Sequence, residues 1–239
     1  MKAIAVIPAR LASSRLPRKM LRDIAGEPLI VRVGKAVRSC SLLAEVIVAT
    51  DSEEILQLCK RHGLDARMTS STHRSGTERV HEIACTMAAD VYLNIQGDEP
   101  LTRAEHIFAL LKVMDQPGVL VGTLQTKASE KDVNNPNAVK VVADAEGKAL
   151  YFSRATIPFD RDKSGTTYFK HLGFYGYRKP ALDRFVSLPE SQLEKSERLE
   201  QLRFLENGID IHVGETEYDT IGVDTEGDLK RAEEMLRAH

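Results

Sequence analysis

Residues 3–19 read Ala3-Ile4-Ala5-Val6-Ile7-Pro8-Ala9-Arg10-Leu11-Ala12-Ser13-Ser14-Arg15-Leu16-Pro17-Arg18-Lys19. The apolar run 3–7 is too short for the core of a signal peptide and leads straight into a charged loop, so it reads as a buried strand. The loop carries Arg10, Arg15, Arg18, Lys19 and two serines, Ser13 and Ser14, with no acid. Arginine offers a planar fork to oxyanions, and lysine offers a compact point charge. Small residues at 12–14 let backbone N–H groups approach an anion. A phosphate-binding loop is therefore expected. The Gly-x-x-x-x-Gly-Lys-Ser/Thr P-loop and the dinucleotide glycine fingerprint are both absent. A solvated basic loop is the plainer alternative.

Working outward, strand-like and helix-like patterns alternate. Helical spacing covers 28–39, with apolar Leu29, Ile30, Val33 and Val37. Strands are expected at 45–50 (EVIVAT), 90–95 (DVYLNI) and 119–126, and helices at 75–88 and 103–114. Asp51 or Ser52 can cap a helix in which Glu53 and Glu54 favour the first turn; we read Asp51 as this cap. This order implies an α/β fold with a Rossmann-like, mainly parallel central sheet and helices on both faces. Ligands of such sheets sit beyond the carboxyl ends of the strands. That singles out the loops after Ile7, Thr50 and Ile95.

The second half differs. Residues 138–144 and 148–153 read as paired strands, 170–178 as an aromatic and glycine-bearing strand, and 193–206 as one charged amphipathic helix ending at Gly208. A short strand at 210–213 and a helix at 225–237 complete the chain. The simplest organisation is one α/β domain over 1–239 with a smaller β-rich elaboration at about 134–192, which could serve a substrate or a partner subunit.

Composition narrows the function classes. Of 239 residues, 42% are hydrophobic and 28% charged, which excludes a mainly disordered chain. The 33 Lys+Arg against 35 Asp+Glu leave a net charge of −2, so no global field attracts nucleic acid. No apolar run approaches the ~18 residues needed to cross a bilayer. The cysteines, Cys40, Cys59 and Cys85, form no Cys-x-x-Cys pair. A cytoplasmic protein is expected.

Two acids follow predicted strands or precede predicted helices. Asn94-Ile95-Gln96-Gly97-Asp98-Glu99-Pro100 places Asp98 after a turn that Gly97 permits, as a hard oxygen ligand for Mg²⁺ or as a turn former. Asp224, in Gly222-Val223-Asp224-Thr225, is a second such ligand or a helix cap. Ser75 and Glu78 fit a capping box, while Gly76 allows close backbone approach to a planar ligand.

The segments IPARLASSRLPRK, VATDSEEI, MTSSTHRSGTERV, NIQGDEPL, YFSRATIPF, KHLGFYGYRK, LEQLRFLENG and GVDTEGDL together resemble the sugar-activating nucleotidyltransferases. Within that superfamily they are most similar to cytidylyltransferases acting on 3-deoxy-manno-octulosonate (Kdo) for lipopolysaccharide assembly. The motifs span residues 4–229, and their order makes the match specific. The resemblance implies a nucleotide-diphospho-sugar transferase type of fold and the reaction CTP + Kdo → CMP-Kdo + pyrophosphate. It further implies Mg²⁺ on Asp98 and Asp224, and a homodimer for which Leu150, Tyr151, Phe152 and Ile157 are candidate interface residues.

By the same resemblance, Lys19, Asp98 and Asp224 are catalytic. Arg10, Ser13, Ser14, Arg15, Lys19, Arg74, Ser75 and Gly76 bind the nucleotide. Gln96, Arg154, His171, Tyr175, Glu200 and Gln201 line the sugar pocket. The family has glycine where this chain has Arg18. His62, His73, His81, His106, His212 and His239 show no metal-ligand spacing and read as structural or surface residues.

Rival readings are a cytidylyltransferase for a related acid sugar (8-amino-Kdo or a sialic acid), a glycosyltransferase, and a non-catalytic nucleotide-binding protein. The Asp-x-Asp of a glycosyltransferase would be Asp160-Arg161-Asp162, which we read as a solvated loop because it follows no strand of the predicted nucleotide-binding sheet.

Overall fold

The computed structural model describes residues 1–237; His239 lies outside them. Two compact units are present: Met1–Phe108 with the C-terminal segment from Thr220, and Ala109–Asp219. The β-rich stretch expected at about 134–192 falls within the second unit.

The first unit opens with β1 (Ala3–Ala9), whose seven residues are all buried. A 3-10 turn (Lys19–Leu21) and a small hairpin of β2 (Asp23–Ile24) and β3 (Glu27–Pro28) lead into α1 (Leu29–Arg38). Then come β4 (Glu45–Thr50), α2 (Glu53–Arg61), β5 (Asp65–Met68), α3 (Gly76–Thr86) and β6 (Val91–Asn94). α4 (Ala104–Met114) runs out of this unit, and a C-terminal helix (Glu226–Arg237) closes it.

The sheet order is β6-β1-β4-β5, with every pairing parallel. The register pairs Ala9 with Thr50 and Val6 with Asn94, so the carboxyl ends of β1, β4 and β6 share one edge. The chain steps from β1 to β4 and β5, then returns to the other side of β1 for β6. Ligands of open α/β sheets bind at such a reversal, which here falls between the loops after β1 and β6. On α1, Leu29, Ile30, Val33 and Val37 are buried, as the helical spacing predicts.

The second unit contains β7 (Val121–Lys127), α5 (Glu130–Val133), β8 (Lys140–Ala143), β9 (Ala149–Ser153) and β10 (Phe169–Tyr177), followed by α6 (Lys179–Ser187), α7 (Gln192–Glu197), α8 (Leu202–Glu206) and β11 (Ile211–Glu215). The C-terminal helix is therefore α9. β10 runs antiparallel to β7 and β8, β9 antiparallel to β8, and β11 parallel to β7.

One expected helix is two. Arg198 adopts a left-handed conformation, φ 55°, and ends α7; α8 starts four residues later. The break lets Arg203 of α8 fold back onto Glu194 of α7, with bonds of 2.7 Å and 2.6 Å. Periodicity alone runs through the break because Arg198, Leu199, Glu200 and Gln201 are all good helix formers. β5, α5 and α6 were not foreseen. β5 is a largely exposed edge strand without apolar alternation. Phe152, expected at an interface, is instead fully buried in its own unit.

Candidate active site

Lys19 is the hub of the first unit's cluster. Its side chain is nearly buried, and its Nζ donates to Asp98 Oδ2 at 2.5 Å and Asp224 Oδ1 at 3.0 Å. Burial alone would lower the lysine pKa, but the two carboxylates outweigh it and hold the pKa above its usual 10.5. Arg15 adds a second cation, Nη2 to Asp224 Oδ2 at 3.0 Å.

Local packing explains this convergence. A Cβ on Gly97 would meet the Pro8 carbonyl oxygen at 3.0 Å, so glycine is needed for close approach to β1. Val223 N donates to Asp98 O at 2.9 Å, which ties the two acid-bearing loops together. Thr225 and Asp228 cap α9 reciprocally: Asp228 N donates to Thr225 Oγ1, and Thr225 N donates to Asp228 Oδ2. Asp224 is thereby released from the capping role that its position permits.

Arg18 immediately precedes the 3-10 turn at φ 56°. A glycine would adopt that left-handed conformation without the Cβ penalty that Arg18 bears. Arg18 itself pairs with Glu54. Arg10 follows β1 and is half-buried, as is Ser13, while Ser14 is exposed. Among the described residues, no hydrogen bond or ion pair joins either serine to the Lys19 cluster.

The segment before α3 combines capping with close approach. Ser75 Oγ accepts from Glu78 N at 3.2 Å, and Glu78 Oε2 accepts from Arg74 N at 2.6 Å. A Cβ on Gly76 would touch Pro8 Cγ at 3.4 Å and Asn94 Nδ2 at 3.5 Å. Asn94 is fully buried, and its Nδ2 has no hydrogen-bond acceptor among the described residues. Gln96 Nε2 donates to the Asn94 side-chain oxygen at 3.3 Å. Sequence reasoning missed Asn94, since a strand-end asparagine carries no distinctive signal.

Asp51 is not the cap of α2. Ser52 takes that role, accepting from Ile55 N at 3.4 Å. Asp51 instead accepts from the fully buried Arg79 at 2.6 Å and from Leu11 N at 3.4 Å. It thus links α3 to the start of the basic loop.

The second unit holds Arg154, His171, Tyr175, Glu200 and Gln201. Arg154 follows β9 and is held on several sides. Its N donates to Glu197 Oε2 at 2.9 Å, its Nε to Glu197 O at 2.7 Å and its Nη1 to Pro136 O at 3.0 Å. The buried Lys140 donates to the Arg154 carbonyl at 2.8 Å. His171 lies edge-on to Phe152, centroids 5.0 Å apart, and 5.4 Å from the Tyr175 ring. These surroundings desolvate the imidazole and push its pKa down to about 3. Glu200 is half-buried in the link between α7 and α8. Gln201 is buried, and its Nε2 lacks an acceptor among the described residues.

Asp160 is a loop former. Its Oδ1 accepts from Ser164 N, and its Oδ2 from Gly165 N and Thr166 N. These backbone donors hold its pKa near about 2. Arg161 and Asp162 are almost fully exposed. A metal motif is not built there. Among the described residues no cluster of three or more His, Cys, Asp or Glu could hold a metal. Two carboxylates converging on one cation remain the donor set, which suits Mg²⁺, an ion that takes most of its ligands from phosphates and water. No described helix is long and apolar enough to cross a membrane.

Comparisons with known proteins show the family of this chain. The chain is 66% identical over 238 residues to a 3-deoxy-manno-octulosonate cytidylyltransferase of Koribacter versatilis, covering 99% of this chain and 91% of the relative. It is 55% identical to the Acidobacterium capsulatum protein of the same name, covering 99% and 97%. A solved CMP:2-keto-3-deoxy-manno-octonic acid synthetase complexed with CTP superposes with TM-score 0.95 at 42% identity, covering 100% of this chain and 99% of that one. The family model described as cytidylyltransferase matches residues 4–211, and the chain belongs to that family.

Proposed function

We propose that this cytidylyltransferase couples CTP to Kdo, releasing pyrophosphate and forming CMP-Kdo for lipopolysaccharide assembly. The observation that carries the reading is Lys19 held between Asp98 and Asp224 at the crevice edge, in a chain that matches the Kdo cytidylyltransferases end to end. Arg10, Arg15 and Lys19 hold the triphosphate, with Ser13 and Ser14 on the same loop. Arg74, Ser75 and Gly76 border the base and adjoining phosphates. Asp98 and Asp224 hold Mg²⁺, which when bound neutralises phosphate charge and acidifies the attacking hydroxyl.

The anomeric hydroxyl attacks the α-phosphorus in line, and pyrophosphate leaves. Lys19 and the arginines stabilise the charge passing onto the leaving group. Gln96, Arg154, His171, Tyr175, Glu200 and Gln201 bind the sugar, with Arg154 supplying a cation for its carboxylate. The unpaired thiols suit a reducing cytoplasm. A homodimer is part of the proposal, supported by exposed Leu150 and half-buried Tyr151 and Ile157.

The test is Mg²⁺-dependent pyrophosphate release from CTP with Kdo, 8-amino-Kdo, a sialic acid or no sugar. Release with Kdo is expected. Release with only another acid sugar would replace the substrate, and CTP binding without any release would favour the non-catalytic reading. Light scattering on the same sample reads the dimer.

A further inference from the structure

β10 carries a bulge opposite Thr123. The register pairs Leu172 with Leu124 and then jumps to Tyr175 with Thr123, leaving Gly173 and Phe174 outside the ladder. The fully buried Thr123 hydroxyl meets this irregularity. It lies 2.7 Å from Phe174 O, 3.4 Å from Leu172 O and 2.9 Å from His171 Nε2.

A threonine hydroxyl has one proton and two lone pairs. Both carbonyls can only accept, so the proton goes to the nearer, Phe174 O. Nε2 at 2.9 Å can then bond only by donating its own hydrogen to the threonine oxygen. A neutral imidazole protonated at Nε2 has a bare Nδ1.

We propose that Thr123 is a positioning residue that locks His171 in the Nε2–H tautomer, so that Nδ1 faces the sugar purely as an acceptor. Such a nitrogen takes a hydrogen bond from a sugar hydroxyl and repels a carboxylate, so His171 reads a hydroxyl while Arg154 takes the acid. This rests on the reading that His171 lines the sugar pocket. The bulge is the enabling feature, since a regular ladder would occupy the carbonyl that fixes the hydroxyl. The burial that keeps His171 uncharged near neutral pH makes the tautomer matter.

The experiment pairs long-range ¹H–¹⁵N spectra of histidine-labelled protein with kinetics. In the wild type, His171 should show a protonated Nε2 and a bare Nδ1. Thr123→Val, nearly isosteric, should mix the tautomers and raise KM for Kdo in inverse proportion to the remaining Nε2–H fraction, about twofold for an even mixture, with KM for CTP unchanged. Thr123→Ser, which keeps the hydroxyl, should restore both.

A bare Nε2 in the wild type would overturn the proposal. So would an unchanged tautomer and sugar KM in a folded Thr123→Val variant. If that variant fails to fold, the wild-type spectrum and Thr123→Ser still decide. The spectrum needs no substrate, so a wild type silent with Kdo would overturn the sugar assignment while the tautomer remained readable.

Discussion

The Nζ of Lys19 lies 2.5 Å from Oδ2 of Asp98, a charge-assisted contact across 79 positions of sequence. A cation thus sits on a carboxylate that the proposed chemistry needs for a metal. Asp98→Asn keeps the shape and removes the charge. Turnover should fall about 100-fold or more, while CTP affinity changes only about threefold or less. Steady-state kinetics with calorimetric CTP titration checks this. Equal turnover at saturating Mg²⁺ would remove Asp98 from the metal role.

Arg18 occupies a left-handed position where glycine is at ease. Arg18→Gly removes a backbone penalty of about 1–2 kcal/mol. It also gives up an exposed ion pair with Glu54, worth about 0–1 kcal/mol, and adds some unfolded-state entropy. A small net stabilisation, up to about 1 kcal/mol, is expected in urea unfolding. A clear loss of stability would show that the Glu54 pair outweighs the backbone.

Arg203 and Glu194 form a bidentate pair with both side chains over nine-tenths buried, and the guanidinium lies 4.1 Å from the Phe185 ring centroid. Arg203→Met leaves a buried carboxylate unpaired and should cost about 3–5 kcal/mol. The double variant Arg203→Met with Glu194→Gln should recover part of that loss. Denaturant midpoints for the four proteins of the cycle measure the coupling, and additive losses would contradict it.

His171 makes folding sensitive to acid. Its native pKa, about 3, lies below the ordinary 6.5. Between those values the unfolded chain binds the proton and the native protein does not, so stability rises with pH across this window. The contribution is complete above about pH 6.5 and is lost as pH falls toward 3. His171→Gln should flatten the pH dependence of stability between pH 4 and 6.5. An unchanged slope would place the acid sensitivity elsewhere.

Particular residues show where the sequence was legible. The strand 45–50 is found with the same bounds, because EVIVAT is apolar, β-branched and bounded by turn residues. Ser75 caps α3 as expected from its spacing to Glu78. The helix expected over 193–206 fails at Arg198, whose left-handed conformation admits the Arg203–Glu194 pair and has no composition signal. The expectation that Asp51 caps α2 fails because Arg79, 28 positions away in sequence, claims its carboxylate and leaves the cap to Ser52.

The chain by itself determined the parallel α/β order, the basic loop after β1, and the placing of Asp98 and Asp224 beside a turn and a helix start. Those features are local: apolar period, turn chemistry and short motifs act within a few residues of one another. Tertiary structure decided which residues meet. Only packing brings Lys19 to Asp224, releases Asp224 from capping by giving that role to Thr225 and Asp228, and sets the Thr123 hydroxyl against His171. Such contacts depend on strand register and on a bulge, and a register is settled by the burial of whole faces rather than by any one residue.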